Sequence, residues 1–181
     1  IVWDIGANIG HYTRKFSEAV GQTGRVVAFE PFPETAEKLR QNISDLENTT
    51  VHVVGLGEAA GNMNMQGGKD DLAAQSRVVG ADEDGAIPVS ISTGDTILAQ
   101  GIAAKPTVLK IDTEGFEMDV LRGMEGLLKA AHLRAVFVEV HFGLLSDRGI
   151  PKAPAEIETL LNASGFTTRW VDPSHIAALR S

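Results

Sequence analysis

The sequence predicts an α/β fold with an open, mostly parallel sheet and helices on both faces. Strand-like apolar runs alternate with segments that carry apolar residues at helical spacing. The alternation is interrupted once, by a polar stretch from Glu58 to Leu98, and the run RAVFVEVHF (134–142) is apolar enough for a strand covered on both faces. This order is typical of parallel sheets whose strands are joined by helices. We therefore expect a single domain over 1–181, with a hairpin and loop excursion at about 58–98.

The elements before the excursion form a βαβαβ series. Helical spacing of apolar residues marks both helices, and Pro33 suits the first turn of the second helix, where no backbone donor is needed. In chain order the predicted elements are a strand at IVWDI (1–5), a helix at HYTRKFSEAV (11–20), a strand at RVVAFE (25–30), a helix at PETAEKLRQNISDL (33–46) and a strand at VHVVGLG (51–57).

The elements after the excursion repeat the same series. Gly165 is suited to end the last helix, because glycine readily adopts the left-handed conformation that follows many helices. The predicted elements are a strand at TVLKID (107–112), a helix at FEMDVLRGMEGLLKA (116–130), a strand at RAVFVEVHF (134–142), a helix at PAEIETLLNAS (154–164) and a strand at FTTRWV (166–171).

Composition limits the classes of function. A formal net charge of −8 disfavours broad binding to nucleic acid or to anionic membranes, since both need basic patches. Cysteine is absent, which excludes disulfides and a thiol nucleophile. The sequence contains no apolar run of about 18 residues and no leader-like segment. We expect a cytoplasmic protein with no nucleic-acid partner and no membrane partner, and composition does not indicate an oligomeric state.

Polar residues and glycines fall at the ends of the predicted strands, where open α/β sheets bind their ligands. These residues are Asp4, Glu30, Gly57, Asp112 and Glu139. We expect the ligand site at this edge of the sheet.

The turn after the first strand differs from a dinucleotide-binding turn. A dinucleotide fingerprint is Gly-x-Gly-x-x-Gly, whereas here Asn8 takes the middle position and Thr13 replaces the third glycine. Asp4 would also repel a pyrophosphate, but it would attract the ammonium group of S-adenosylmethionine, whose carboxylate suits a helix amino terminus. We therefore expect S-adenosylmethionine as cofactor. The candidate cofactor-binding residues of this segment are Asp4, Gly6, Ala7, Asn8, Gly10, Tyr12 and Thr13.

Glu30 follows Gly10 by about 20 residues, the spacing at which a carboxylate meets ribose hydroxyls in nucleoside-binding folds. The alternative is a solvent-facing strand end. Phe32, after Pro31, is placed to pack on adenine or, alternatively, to act as a hydrophobic staple for the following helix. With Gly57 at the next strand end, Glu30, Pro31 and Phe32 complete the candidate cofactor site.

Three residues at later strand ends are candidates for catalysis. Asp112 is expected to form a wall of the cofactor site and to serve as a base, although Lys110 on the same strand face is an alternative partner for it. Glu139 and His141 share a strand face, and histidine ordinarily titrates near neutral pH. Glu114 and Glu117 are expected to favour the start of a helix. Asp112, Glu139 and His141 together are an alternative site for a divalent cation, but we expect no metal, because no closely spaced ligand motif is present.

Four segments together closely resemble the FkbM family of S-adenosylmethionine-dependent methyltransferases. They are VWDIGANIGHYT, VVAFEPFPET, VLKIDTEGFEMDVLRGM and VFVEVHF, and KIDTEGFE after FEP is the specific part. The resemblance implies a class I methyltransferase (Rossmann-like) fold with a seventh, antiparallel strand. It also implies transfer to a hydroxyl on a sugar, glycan or natural product. Ile1 lies inside the first strand, so we expect shortening at both ends, with HIAALRS (175–181) the only remnant of the last strand.

The leading hypothesis is an O-methyltransferase that uses S-adenosylmethionine and a small-molecule or glycan hydroxyl acceptor. Two alternatives remain open at this point. One is a nicotinamide-dependent dehydrogenase, which the missing middle glycine disfavours. The other is a catalytically silent nucleoside-binding domain.

Overall fold

A computed structural model describes residues 1–67, 77–80 and 82–180. Its main sheet has seven strands in the order β10-β11-β9-β8-β1-β2-β3. The strands of this sheet are β1 (Val2–Ile5), β2 (Val26–Phe29), β3 (Thr49–His52), β8 (Val108–Ile111), β9 (Ala135–Glu139), β10 (Thr167–Trp170) and β11 (His175–Leu179).

Only β11 runs against its neighbours in this sheet. It pairs antiparallel with β9 and β10, whereas all the other pairings are parallel. The predicted mostly parallel sheet is therefore confirmed. The segment HIAALRS was expected to be a remnant of the last strand, but its residues 175–179 pair along their whole length with β9. Ser181 lies outside the described residues.

A second, smaller sheet has the order β4-β7-β5-β6. Its strands are β4 (Gly55–Leu56), β5 (Gly61–Gln66), β6 (Arg77–Val78) and β7 (Ile87–Ser92). The β5–β7 hairpin lies within the excursion predicted at about 58–98, of which residues 68–76 and 81 lie outside the described residues. The single strand predicted at 51–57 is wrong, because the chain leaves the main sheet after His52 and Gly55–Leu56 pair with β7.

The helices are α1 (His11–Val20), α2 (Pro33–Asn42), α3 (Gly94–Ala99), α4 (Glu117–Arg122), α5 (Glu125–Lys129), α6 (Phe142–Asp147) and α7 (Ala153–Ala163). The helices differ from the predictions at several points, and α3, within the excursion, was not predicted. The helix predicted at 33–46 ends at Asn42, the helix predicted at 116–130 is divided at Gly123, and α6 begins where a strand was expected to end. No helix in the described ranges is long and apolar enough to cross a membrane.

The core lies between the central strands and the helices packed on them. Trp3, Phe29, Leu109 and Val136 come from four adjacent strands and are fully buried. The Trp3 indole also donates to the Ala104 carbonyl at 2.9 Å, so its one polar atom is satisfied. The chain visits β1, β2 and β3 on one side and then returns to β8 on the other side of β1. This reversal opens a crevice at the carboxyl ends of β1 and β8, where such sheets bind ligands.

Candidate active site

A buried lysine links the ends of the two central strands. Lys110 lies opposite Asp4 in the register of β1 and β8. Its Nζ lies 3.2 Å from Asp4 Oδ1 and 3.2 Å from Asp112 Oδ2, and it donates to the Gly6 carbonyl at 3.1 Å. Burial alone would lower the pKa of Lys110, but the two carboxylates raise it above its ordinary value. Lys110 is therefore a structural cation that holds the turn after β1 against the end of β8.

Asp4 and Thr13 lie beneath this turn. Both are fully buried, and the Thr13 hydroxyl donates to Asp4 Oδ2 at 2.6 Å. With its other oxygen beside Lys110, the Asp4 carboxylate is engaged within the protein. Neither residue lines a cavity of the site, so the structure places both of them as supports under the turn.

The turn itself depends on glycine at its start. Gly6 has a φ of +77°, and a Cβ at this position would lie 1.8 Å from the Asp112 carbonyl oxygen. Gly10, at the amino end of α1, has a φ of +93°. Side chains other than glycine are strained in this region of φ. The backbone of β1 therefore approaches the end of β8 more closely than any other residue at position 6 would allow.

Glu30, directly after β2, is 5% exposed. Its carboxylate accepts the Asn8 N–H at 2.9 Å and the Phe32 N–H at 3.1 Å. Burial raises the pKa of Glu30 to about 7, against the two backbone hydrogen bonds, which lower it. Since each carboxylate oxygen can accept more than one hydrogen bond, Glu30 retains acceptor capacity for ligand hydroxyls.

A cavity of about 320 Å³ opens beside Glu30. Apolar side chains from the second sheet, Met63, Met65 and Ile91, form one wall, together with Phe116. Phe32 also packs in a cluster with Met65, so it belongs to the wall and to the local core at once. The candidate cofactor residues that line this cavity are Gly6, Asn8, Glu30, Pro31, Phe32, Gly57 and Asp112.

A second cavity of about 320 Å³ lies on the other side of the turn. Ala7 and Tyr12 line it, and the Lys110 ammonium lies 5.2 Å from the centre of the Tyr12 ring. Gly6, Asn8 and Asp112 line both cavities, which are therefore neighbouring parts of one crevice. Gly10 lines neither of them, and a Cβ added to it would meet the side chains of Leu39 and Ile43.

Carboxylates surround His141 at the ends of β8 and β9. Its Nε2 lies 3.3 Å from Glu114 Oε2, 3.7 Å from Asp112 Oδ1 and 4.0 Å from Glu139 Oε1. Its Nδ1 lies 2.9 Å from Oε1 of the fully buried Glu117. The structure therefore brings together the three candidate catalytic residues Asp112, Glu139 and His141, and adds Glu114 and Glu117, for which only a helix-start role was expected.

This setting changes the protonation of His141. Burial alone would lower the pKa, but the hydrogen bond to Glu117 and the charges of Glu117, Glu114 and Asp112 raise the pKa to about 9. The His141 side chain is therefore an imidazolium cation at neutral pH in the free protein. It cannot accept a proton in that form, so within this cluster the carboxylates are the available proton acceptors.

His175 is a member of the site that the sequence did not identify. It lies opposite Glu139 in the β9–β11 register, and its Nε2 is 3.3 Å from Glu139 Oε2. Its Nδ1 lies 2.9 Å from Asp172 Oδ1. Glu139 is thus flanked by two histidines. This arrangement depends on the pairing of β11 with β9, which cannot be inferred from the spacing of sequence motifs.

Two features of the crevice suit S-adenosylmethionine. Glu30 presents a carboxylate beside an apolar cavity, as a ribose and an adenine require. The Gly6–Gly10 turn separates that cavity from a second one, which has Lys110 and Asp112 in its lining.

Comparison with known proteins shows the family. Residues 4–168 match the model of the methyltransferase FkbM domain, which is most of the chain. The chain belongs to the FkbM family of S-adenosylmethionine-dependent methyltransferases. The resemblance found in the sequence motifs is thus confirmed, and the cofactor of the family is S-adenosylmethionine.

The FkbM domain is similar to one curated relative, the hexuronic acid methyltransferase AglP of Haloferax volcanii. They are 29% identical over 169 residues, which make up 93% of this chain and 64% of AglP. The chain therefore spans about two thirds of the length of this relative.

Solved structures share the fold. An FkbM methyltransferase from Methylobacillus flagellatus superimposes with a TM-score of 0.65 and 18% identity, covering 98% of this chain and 42% of that chain. Fibrillarin from Aeropyrum pernix, with S-adenosylmethionine bound, gives a TM-score of 0.59 and 12% identity over 98% of this chain and 65% of its own. A Streptococcus mutans methyltransferase in complex with SAH gives a TM-score of 0.58 and 11% identity, covering 99% of this chain and 88% of that chain. The class I methyltransferase-like fold is confirmed.

Proposed function

We propose that this chain is one domain that transfers a methyl group from S-adenosylmethionine to a hydroxyl oxygen of a sugar or glycan. The observation that carries the proposal is the shared lining of the two cavities by Gly6, Asn8 and Asp112, which sets the nucleoside cavity beside the carboxylates at the strand ends. The FkbM family supplies the reaction class.

The nucleoside half of the site rests on Glu30. Its carboxylate, fixed by two backbone N–H groups, accepts the ribose hydroxyls, while Phe32 and the methionines of β5 contact the adenine. The amino-acid half follows the Gly6–Gly10 turn toward Tyr12. Asp4 and Thr13 keep Lys110 in place and contribute through the turn's geometry.

Proton removal is assigned to the strand-end carboxylates. S-adenosylmethionine carries the methyl group on a sulfonium sulfur. This sulfur is the leaving group and keeps the electron pair of the broken carbon–sulfur bond. As the new oxygen–carbon bond forms, the acceptor hydroxyl loses its proton to Glu139 or Asp112. His141 and His175 orient Glu139, with their Nε2 atoms 4.0 Å and 3.3 Å from its two oxygens.

A sugar acceptor is supported by AglP, which is a hexuronic acid methyltransferase. The acidic balance of the chain, with a formal net charge of −8, supports a small acceptor over a nucleic acid. Fibrillarin shares the fold at 12% identity, a similarity that shows the fold alone and gives no support to a nucleic-acid acceptor.

Calorimetry with S-adenosylhomocysteine and a radiolabelled methyl-transfer assay test the proposal together. We expect wild-type binding, a loss of at least about tenfold in affinity for Glu30→Ala, and no change for the exposed control Glu34→Ala. With methyl glycosides of hexuronic acids as acceptors, Glu139→Gln lowers turnover by about 100-fold while cofactor-product affinity stays constant.

Absence of binding by the wild type would overturn the cofactor assignment. Binding without labelling of any hydroxyl acceptor would instead identify a silent nucleoside-binding domain. Equal turnover of Glu139→Gln and the wild type would remove Glu139 from the role of base.

A further inference from the structure

The carboxylates around His141 form a geometry that an acid–base role does not require. We propose that Asp112, Glu114 and His141 together bind one divalent metal ion at the mouth of the cofactor cavity. The role of such an ion toward the acceptor rests on the function proposed above, whereas its binding does not. No metal was expected from the sequence, in which Asp112, Glu139 and His141 share no closely spaced ligand motif and Glu114 was expected only to favour the start of a helix.

Distances between the ligand atoms suit one ion. One side-chain oxygen or nitrogen from each of the three residues lies within 4.8 Å of the others. Ligand atoms at about 2.1 Å from an octahedral ion are about 3 Å apart when adjacent and about 4 Å apart when opposite. His141 Nε2 is 3.3 Å from Glu114 Oε2 and 3.7 Å from Asp112 Oδ1. The gaps therefore allow an ion without rearrangement of the backbone.

Glu117, at the imidazole nitrogen that is not offered to the ion, gives a second indication of a metal site. Glu117 Oε1 lies 2.9 Å from His141 Nδ1 and also accepts the Gly115 N–H at 2.8 Å. Glu117 is fully buried, and among the described residues its Oε2 has no hydrogen-bond partner. A carboxylate behind a histidine fixes the ring so that its other nitrogen faces the metal, which is the usual outer arrangement of metal-bound histidines. Here that nitrogen faces Asp112 and Glu114. It carries a proton in the free protein, and binding of the ion would release that proton.

The negative charge around His141 also favours a bound cation. Asp112, Glu114, Glu117 and Glu139 lie within 4.0 Å of one imidazole. Lys110 contacts Asp112 Oδ2, whereas Oδ1 faces His141. These acids would repel an acidic acceptor such as a hexuronate. A divalent ion would offset much of this negative charge, and it would also lower the pKa of a bound hydroxyl.

The ligand set favours manganese over magnesium. Two carboxylates suit either ion, but an imidazole nitrogen favours a transition metal. Asp112 and Glu114 also line the cofactor cavity, so an ion held by them lies beside the proposed methyl donor. Both side chains are partly exposed, at 21% and 29%, which leaves room for water or acceptor oxygens in the remaining coordination positions.

The test is titration of the metal-free full chain with MnCl2, followed by calorimetry and by loss of the free-ion signal in electron paramagnetic resonance. We expect one ion per chain. Glu114→Gln and His141→Asn should each weaken Mn²⁺ binding by at least about tenfold, and Glu117→Gln should weaken it by about tenfold through the orientation of the ring. The exposed control Glu34→Gln should bind like the wild type.

Binding of S-adenosylhomocysteine, measured on every variant, shows that the variant is folded. Wild-type protein that binds S-adenosylhomocysteine but no Mn²⁺ overturns the metal site and leaves the proposed function intact. Wild-type protein that binds Mn²⁺ but no S-adenosylhomocysteine overturns the proposed function and leaves the metal site intact. Mn²⁺ binding that is undiminished in Glu114→Gln and His141→Asn assigns the ion to another part of the chain and also overturns the site.

Discussion

Glu30 combines burial with two backbone hydrogen bonds, and its pKa of about 7 makes cofactor affinity sensitive to pH. Ribose hydroxyls donate to the ionised carboxylate, so binding favours the deprotonated form. The ionised fraction is about 10% at pH 6 and about 90% at pH 8, and apparent affinity is proportional to that fraction. We expect affinity for S-adenosylhomocysteine to rise about tenfold across this range, as measured by calorimetry.

Glu30→Gln is the control for this dependence, because it keeps the side-chain shape and removes the titration. Its affinity should be lower than that of the wild type at pH 8 and nearly constant between about pH 6 and pH 8. A wild-type affinity that does not change with pH would contradict the ribose contact by ionised Glu30.

His141 makes the stability of the free protein depend on pH in the alkaline range. Its pKa is raised to about 9 in the folded state, so its contribution is fully present below the unfolded pKa of about 6.5. The contribution is lost as pH rises through about 9. Linkage gives at most about 3 kcal/mol for such a shift, and partial solvent screening reduces our expectation to about 2 kcal/mol.

Urea unfolding of the wild type and of His141→Asn, from about pH 6.5 to about pH 9.5, measures this contribution as the difference between the two proteins. The difference should shrink as pH rises. His11→Asn, an exposed histidine outside the cluster, controls for the substitution itself. A difference that stays constant with pH would show that the carboxylates do not hold the proton on His141.

The residues of the site were predictable to different degrees. Glu30 and Asp112 follow predicted strands directly, so their place at one edge of the sheet could be inferred from the chain alone. The contact of Glu139 with His175 could not, because it depends on a strand inserted antiparallel beside β9. The raised pKa of His141 was also not predictable, since it depends on Glu117 and Glu114, which follow β8 and lie far from His141 in the sequence.

At the scale of elements, glycine positions explain where the predicted helix at 116–130 is divided. Gly123 ends α4, and a Cβ there would lie 1.8 Å from the Gly57 carbonyl oxygen. The end of α4 therefore packs directly on the backbone that follows β4. Helical spacing of apolar residues continues through this point, which is why periodicity predicted a single helix.

Gly123→Ala should therefore destabilise the chain, by about 2–3 kcal/mol, and should weaken S-adenosylhomocysteine binding, because Gly57 lines the cofactor cavity. The matched control is Gly143→Ala in α6, where an added Cβ meets no atom within 4 Å. The control should be neutral or stabilising by up to about 1 kcal/mol, since alanine favours helices. Thermal and urea unfolding measure both changes. Equal stability of the two variants would contradict the close approach.

The strand at 51–57 failed as a prediction for a related reason. The valines and the leucine of this run suit a strand, but a Cβ on Gly55 would lie 2.7 Å from the Ile91 side chain, so this backbone packs closely on β7. The second sheet competes for Gly55–Leu56, and pairing with a distant hairpin leaves no local signal in the sequence.

At the scale of the molecule, the alternation of strands and helices was sufficient to predict the open parallel sheet. Long, strongly apolar strands such as β9 carry most of that information. The strand order could not be predicted in this way, because no local feature of the sequence shows on which side of β1 strand β8 lies. The place of β8 beside β1 was predictable only from the usual order of doubly wound sheets.

The antiparallel strand β11 has a consequence for how the protein is made. It follows β10 in the chain but lies between β9 and β10, so β10 has no place in the sheet until β11 has been synthesised. Arg180, just beyond it, donates to the carbonyls of Leu128, Ala130, Leu133 and Ser164. During translation the exposed edge of β9 therefore waits for residues 175–180. An unpaired strand edge can pair with strands of other chains, so the nascent chain is prone to aggregation in that interval.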